Sequence, residues 1–325
     1  MLPWVLDILR RTRAEIHQSH LQIAEIRAML SAALQNKTQA GTQGLAQSGT
    51  WVPPGHFYSP IVDPAEIEPR RHSIFNRDAE VAGVALNVAG QLEMLQRIGR
   101  HARALPFRAE RQDGLRYHYE NPNFSYGDAI VLAGLLMELR PRRVVEVGSG
   151  FSSCVTLDVD ERFLGGGTEI TFVEPYPDLL LGLMRPGDQE RCRIIRGIVQ
   201  ALDLAVVETL AAGDVLFIDS THVSKCGSDV NFELFQILPR LKPGVLVHFH
   251  DVFWPFEYPE QWIFEENRSW NELYLLRAFL TNNPEYEIVF FNHYMALQHR
   301  AAMEREIPLA LRNPGGGLWL RKLAR

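Results

Sequence analysis

Apolar residues fall along this chain in two rhythms. In the first part they recur at helical spacing. Leu2, Leu9, Ile16, Ile23 and Leu30 repeat every seven residues, which predicts a helix over residues 2–35. The companion seam of Val5, Thr12, Ser19, Ile26 and Ala33 is interrupted by two polar residues. A strict two-stranded coiled coil keeps both seams apolar. A helix packed on its own domain and a helix that joins two copies of the chain both stay open. Residues 36–50, rich in Gln, Asn, Thr, Gly and Ser, carry no periodicity and read as a flexible linker. Residues 51–78 hold the run Trp51-Val52-Pro53-Pro54-Gly55-His56-Phe57-Tyr58-Ser59-Pro60, which excludes a regular helix or a central strand. Such a segment crosses a surface and is a candidate lid. Helical spacing returns over 79–104. After a polar and aromatic turn at 121–126, Gly127-Asp128 leads into a helix over 129–138, stopped by Pro141.

From Arg142 onward the rhythm changes. Short apolar, often β-branched runs at 143–148, 169–174, 191–196, 214–219, 244–250, 287–291 and 317–321 alternate with helical stretches. Alternation of this kind predicts an α/β fold: a doubly wound, mostly parallel seven-stranded sheet with helices on both faces and a helical N-terminal extension. The last two runs have no long helix between them, so they are free to pair antiparallel at one edge. The expected organisation is a helix at 1–35, a linker at 36–50, a lid and helical extension at 51–126, and a catalytic domain at 127–325.

Composition narrows the function classes. A chain of 325 residues with 46% apolar content can bury one large α/β core plus appendages. The net charge of −6 argues against nucleic-acid binding by bulk charge. Cys154, Cys192 and Cys226 are odd in number and lack metal-ligand spacing, as expected of free thiols in a reducing cytoplasm. No apolar run approaches the ~20 residues that cross a bilayer. The apolar start, Met1–Leu9, contains Asp7 and precedes Arg10 and Arg11, the reverse of a signal peptide. The expected setting is therefore cytoplasmic, without nucleic-acid or membrane partners, and with self-association through the N-terminal helix as a candidate.

The candidate chemistry lies at strand ends. Val144-Val145-Glu146-Val147-Gly148-Ser149-Gly150 is a buried strand ending in a carboxylate and a glycine turn. Gly148 and Gly150 let the backbone turn and approach a ligand. The residues from Ser152 can start a helix whose free N–H groups face that ligand. Glu174 ends the next strand, where a carboxylate can accept both hydroxyls of a ribose. Two later strands end in Asp219-Ser220-Thr221-His222 and His250-Asp251. Adjacent parallel strands lie ~4.8 Å apart, so Asp219, His222, His250 and Asp251 are expected at one pocket mouth. Carboxylates with imidazole suit a divalent metal, and His222 or His250 equally suits a general base near neutral pH. The plainer reading has the acids capping helices and the histidines as satisfied donors.

These motifs, in this order, resemble the class I S-adenosylmethionine-dependent methyltransferases, and within them the bacterial methyltransferase-24 group, which includes small-molecule O-methyltransferases. The resemblance runs from about Phe57 to the end. It rests on Val145–Gly150, Glu174, Ile218–Val223 with Gly227–Asn231 after it, Leu238–Gly244, His250–Pro259 and Trp270-Asn271-Glu272. It implies S-adenosylmethionine as cofactor, with the backbone of Gly148 and Gly150 on its methionine part, Ser149 among the cofactor-binding residues, Glu146 at its amino end and Glu174 on its ribose. Asp219 is a candidate on both the cofactor and the acceptor side. The metal-dependent relatives imply Mg²⁺ on Asp219, His250 and Asp251. Here the second tip reads His-Asp where catechol-type relatives carry Asp-Asn, which sets the metal against His222 as the base. The implied reaction is in-line transfer of a methyl group to a small-molecule or sugar hydroxyl. Two rivals remain: a nicotinamide-dependent oxidoreductase using the same glycine turn and Glu174, and a non-catalytic scaffold of the same fold.

Overall fold

The computed structural model describes residues 51–324, in two units, 51–67 and 68–324. The expected N-terminal helix and linker, and the self-association assigned to that helix, lie outside the described residues. Within 51–67 the chain runs in turns up to a one-turn helix, Pro64–Ile67. Gly55, at φ +78°, donates its N–H to the Ile61 carbonyl at 2.9 Å, and the Trp51 and Tyr58 rings stack at 5.4 Å.

The second unit opens its longer helices with α1, Val88–Ala102, and α2, Tyr126–Leu139. Helix α1 starts later than its spacing predicts. Gly83, at φ +79°, accepts the N–H of Asn282 at 2.8 Å, and Asn87 takes a left-handed conformation, so the chain before Val88 is tied down as a loop. Gln91, Met94, Leu95 and Ile98 form its buried stripe at helical spacing. Helix α2 is buried all round from Tyr126 to Leu136. Its Gly134 has no room for a side chain, since a Cβ would fall 2.7 Å from Ile98 Cγ2 where α1 crosses. Arg140 closes α2 in a left-handed cap, its N–H on the Leu136 carbonyl, one residue before Pro141. Helix α1 is also bound to the sheet, with the Gln91 amide oxygen accepting from Phe291 N–H at 2.9 Å. It is part of this unit's core rather than a peripheral extension.

The strands are β1 Arg143–Val147, β2 Glu169–Val173, β3 Cys192–Ile195, β4 Val215–Ile218, β5 Leu246–Phe249, β6 Tyr286–Phe291 and β7 Leu318–Lys322. Helix α3, Phe151–Val159, follows β1, and α4, Asp178–Leu183, follows β2. Helix α5, Glu272–Leu280, precedes β6. The sheet order is β3-β2-β1-β4-β5-β7-β6, parallel through β5, with β7 antiparallel to both neighbours. The antiparallel pairing expected of the last two strands is present, but β7 sits inside the sheet and β6 forms the edge. A dinucleotide-binding sheet has order 3-2-1-4-5-6, so this insertion speaks against the oxidoreductase rival. Strands β4 and β5 are buried at every residue, as parallel strands covered on both faces must be. No helix among the described residues is long and apolar enough to cross a membrane.

Candidate active site

The strand order reverses between β1 and β4, and the polar clusters gather there, at the carboxyl ends. Asp219 N–H donates to the Val147 carbonyl at 2.9 Å and Gly148 N–H to the Val173 carbonyl at 3.1 Å, so the tips of β1, β2 and β4 are laced together. Gly148 sits at φ +80°, and a Cβ on it would lie 1.7 Å from the Asp219 carbonyl oxygen. Glycine is required there by the neighbouring strand as well as by the turn.

Glu146 is 1% exposed beneath this turn. Its Oε1 accepts from the hydroxyls of Ser152 at 2.6 Å and Ser153 at 2.8 Å, and Ser153 Oγ also accepts from Gly150 N–H at 3.0 Å. Burial pushes the Glu146 carboxyl up to about 8, against the pull of the two hydroxyls. Glu146 thus braces the turn from below. Glu174, just past β2, accepts from Ser149 N–H at 2.9 Å and Tyr176 N–H at 2.8 Å. Tyr176 and Leu179, after β2, and Ile198, after β3, are exposed. Ser149 Oγ is buried and has no hydrogen-bond partner.

At the tips of β4 and β5 the structure brings Asp219, His222 and Asp251 to one point. His222 Nε2 lies 3.3 Å from Asp219 Oδ1 and 3.9 Å from Asp251 Oδ2. Its Nδ1 lies 2.8 Å from Oε2 of Glu272, the first residue of α5. The imidazole packs on Trp270 at 4.4 Å. His222 and Asp251 both have positive φ, +60° and +54°, backbone strain of the kind that gathers at functional sites. The His222 carbonyl accepts from the N–H groups of Asn271 and Glu272 at 3.0 and 3.1 Å, which fixes the loop over α5. Burial lowers the proton affinity of His222, but the bonds to Asp219 and Glu272 outweigh it and hold its pKa well above the ordinary imidazole value. His250 stands alongside, its Nε2 3.8 Å from Asp251 Oδ1 and its Nδ1 3.4 Å from His248 Nε2. Burial would lower its pKa too, and the charges of Asp219, Asp251 and Asp128 raise it.

In front of His250 and Asp251 opens a cavity of about 880 Å³, walled by Asp128, Phe253, Trp262 and Arg312. Its size suits a small-molecule site, typically ~300–1,000 Å³. Two acids here escape a reading of the sequence. Asp128 looks like an ordinary first-turn residue of α2, and Glu272 lies fifty residues from the histidine it orients.

A family model described as a methyltransferase domain matches residues 145–252, which span β1 to the end of β5. A protein of Archaeoglobus fulgidus, itself described as uncharacterized, is 37% identical over 168 residues, 50% of this chain and 75% of that protein. Residues 145–252 of this chain are thus a methyltransferase domain. Among solved structures, the chain is similar to the Podospora anserina methyltransferase PaMTH1 bound to S-adenosylhomocysteine, at 15% identity and TM-score 0.42 over 85% of this chain and all of that one. It is also similar to the O-methyltransferase TomG of Streptomyces achromogenes in complex with S-adenosylmethionine, at 14% identity and TM-score 0.40 over 80% and 96% of the two chains.

The methyltransferase's glycine turn fits that cofactor on its own chemistry. A buried hydroxyl without a partner calls for one, and Ser149 Oγ stands where the methionine part is expected. The free N–H groups opening α3 and the carboxylate of Glu174 complete the polar set. The divalent-metal reading of Asp219, His250 and Asp251 does not fit. Among the described residues no three His, Cys, Asp or Glu side chains are grouped to hold a metal ion. Asp219 and Asp251 turn toward His222 instead.

Proposed function

We propose that this methyltransferase moves a methyl group from S-adenosylmethionine to a hydroxyl oxygen of a small molecule or sugar. The observation that carries the reading is the Asp219–His222–Glu272 chain at the tips of β4 and α5, beside the glycine turn and joined to the large cavity through Asp251. When bound, the cofactor supplies an electrophilic methyl on a sulfonium. The protein's work is to hold the acceptor oxygen in line with it and to remove the hydroxyl proton. Orientation alone can reach an effective molarity of ~10⁵–10⁸ M, and a positioned base adds ~10²–10⁴-fold.

Backbone N–H groups of the turn, Ser149 Oγ and Glu174 hold the cofactor in this reading, and Glu146 keeps the turn in shape. His222 is the base, through Nε2. Glu272 holds Nδ1, as the acid of a serine-protease triad does, so that the proton-accepting nitrogen faces the acceptor. In the free protein that nitrogen is engaged with Asp219, and the raised proton affinity keeps it protonated. The ring accepts the acceptor's proton only after losing its own, so activity rises with pH through a limb above the usual imidazole range.

Calorimetric titration of the purified protein with S-adenosylmethionine, and separately with NAD, tests the reading. The expected result is binding of the former only, weakened by about 10–100-fold in Glu174→Ala as hydrogen bonds to a charged acceptor are lost. No binding of either would return the weight to the scaffold reading, and NAD binding alone would overturn the assignment.

A further inference from the structure

The cavity holds a carboxyl for which the reaction above has no role. Asp128 is the third residue of α2. An acid there commonly reaches back to the N–H of the cap. Here its Oδ1 accepts from Asn292 Nδ2 at 3.0 Å, and the side chain borders the cavity with His250 and Asp251. It is 94% buried, at 6% exposure, and burial pushes it up to about 7. The Gly317 N–H bonds the same carboxyl, so it is held in place at the cavity's edge with lone pairs left over for hydroxyls of a ligand.

The glycine run 315–317 shapes the space around it. Gly315, at φ +73°, passes so close that a Cβ would lie 1.9 Å from Asp128 Oδ2. A Cβ on Gly316 would lie 2.9 Å from the Phe253 ring. Two side-chain-free residues, Gly315 and Gly316, therefore keep one wall of the cavity at backbone thickness, against the acid on one side and an aromatic ring on the other.

The remaining walls state what would be accepted. Carboxyls of Glu120, Asp128 and Asp251 share the walls with the guanidinium of Arg312, the imidazole of His250 and amides such as Gln261 and Asn313. Arg312 donates to the Tyr126 hydroxyl at 2.9 Å, and that hydroxyl donates to Glu120. Carboxyls thus outnumber the one guanidinium, which disfavours an anion, and the mixture of donors and acceptors suits a ligand rich in O–H groups, which both gives and takes hydrogen bonds. Phe253 and Trp262 add flat apolar surface. A planar catechol would leave most of these carboxyls unpaired, whereas a pyranose offers hydroxyls at its edge and C–H groups on its face.

Building on the function proposed above, we infer that the cavity binds the methyl acceptor as a neutral carbohydrate, with Asp128 accepting from its hydroxyls and Phe253 and Trp262 packing on the ring. Asp128 is then a specificity residue, since a site built to pair hydroxyls rejects ligands that leave it unpaired.

The test uses the full chain saturated with S-adenosylhomocysteine and an array carrying neutral glycans and their uronic-acid counterparts. Retention on neutral glycans is expected, with hits then titrated in solution. Asp128→Asn keeps the Asn292 contact and should weaken neutral-glycan binding about tenfold or more, leave S-adenosylhomocysteine affinity unchanged, and raise the relative binding of uronic-acid glycans. A merely structural role would not produce that change in charge preference. Phe253→Leu should weaken all glycans alike. A protein that binds S-adenosylhomocysteine yet retains no glycan, or only anionic ones, overturns this inference and leaves the methyltransferase reading intact. An unchanged Asp128→Asn profile overturns it as well. Failure to bind S-adenosylhomocysteine removes both.

Discussion

Replacing Glu272 by glutamine tests whether a carboxylate governs the proton on His222. The substitution is nearly isosteric and removes one charge from a group 2% exposed and 2.8 Å from the imidazole Nδ1. An opposite charge at such range is worth ~1–3 pKa units to its partner, or about 1.4–4 kcal/mol at ~1.4 per unit. His222 keeps its bond to Asp219, so its proton affinity should fall by an amount of that order and remain measurable. The amide has a second effect. Its NH₂ can donate to Nδ1, which fixes the neutral ring with its proton on Nε2, the nitrogen that must accept. The same exchange in a serine-protease triad costs ~10⁴ in rate through the wrong tautomer. The assay needs no acceptor: titration of the histidine ring resonances by NMR in the wild type and in Glu272→Gln. The sign for stability follows from the direction of the shift. A folded-state pKa above the unfolded value makes the His222 contribution complete below about pH 6.5. It is lost as pH rises through the raised native value, and the loss should come at lower pH in the variant. An unchanged His222 titration in Glu272→Gln would refute the reasoning.

Two further outcomes follow from packing. Gly148→Ala places a methyl group on the Asp219 carbonyl at a left-handed position, so urea unfolding should show a loss of at least about 2 kcal/mol, and calorimetry should show lost cofactor binding. Arg116, with a fully buried side chain, bonds Asp158, Glu161 and Asp188 together. Arg116→Ala leaves buried carboxylates uncompensated and should cost about 3–5 kcal/mol in the same unfolding experiment.

The strands were legible because each is a short β-branched or aromatic run ended by a polar residue or glycine, and their bounds in the structure fall within about two residues of those read from the sequence. The place of β7 was not, because insertion between β5 and β6 depends on pairing partners such as Phe249 with Leu318, far apart in sequence. Strand ends located Asp219, His222, His250 and Asp251 together, as strand spacing requires. What failed was the inference from proximity to coordination. Side-chain direction decides that, and His222, turned by its positive φ and anchored by Glu272, draws Asp219 and Asp251 to itself. Asp128 stayed hidden because an acid in a helix's first turn has an ordinary explanation.

The stretch 253–270, which supplies Phe253 and Trp262 to the cavity, is held at both of its ends by main-chain bonds: Val252 N–H to the Gly316 carbonyl at 2.7 Å and Asn271 N–H to the His222 carbonyl at 3.0 Å. Inside it, Arg268 lies over the Trp262 and Trp270 rings at 4.1 and 4.8 Å and binds Glu266. Its other ties run outward: Trp254 bonds His293 and the Arg77 carbonyl, Glu260 pairs with Arg71, and Trp270 packs on His222. The side chains that line the cavity, Phe253 and Trp262, can change between descendants while these ties and the bonds among Asp219, His222 and Glu272 stay. A lineage built on this plan can change what it methylates without rebuilding how it methylates.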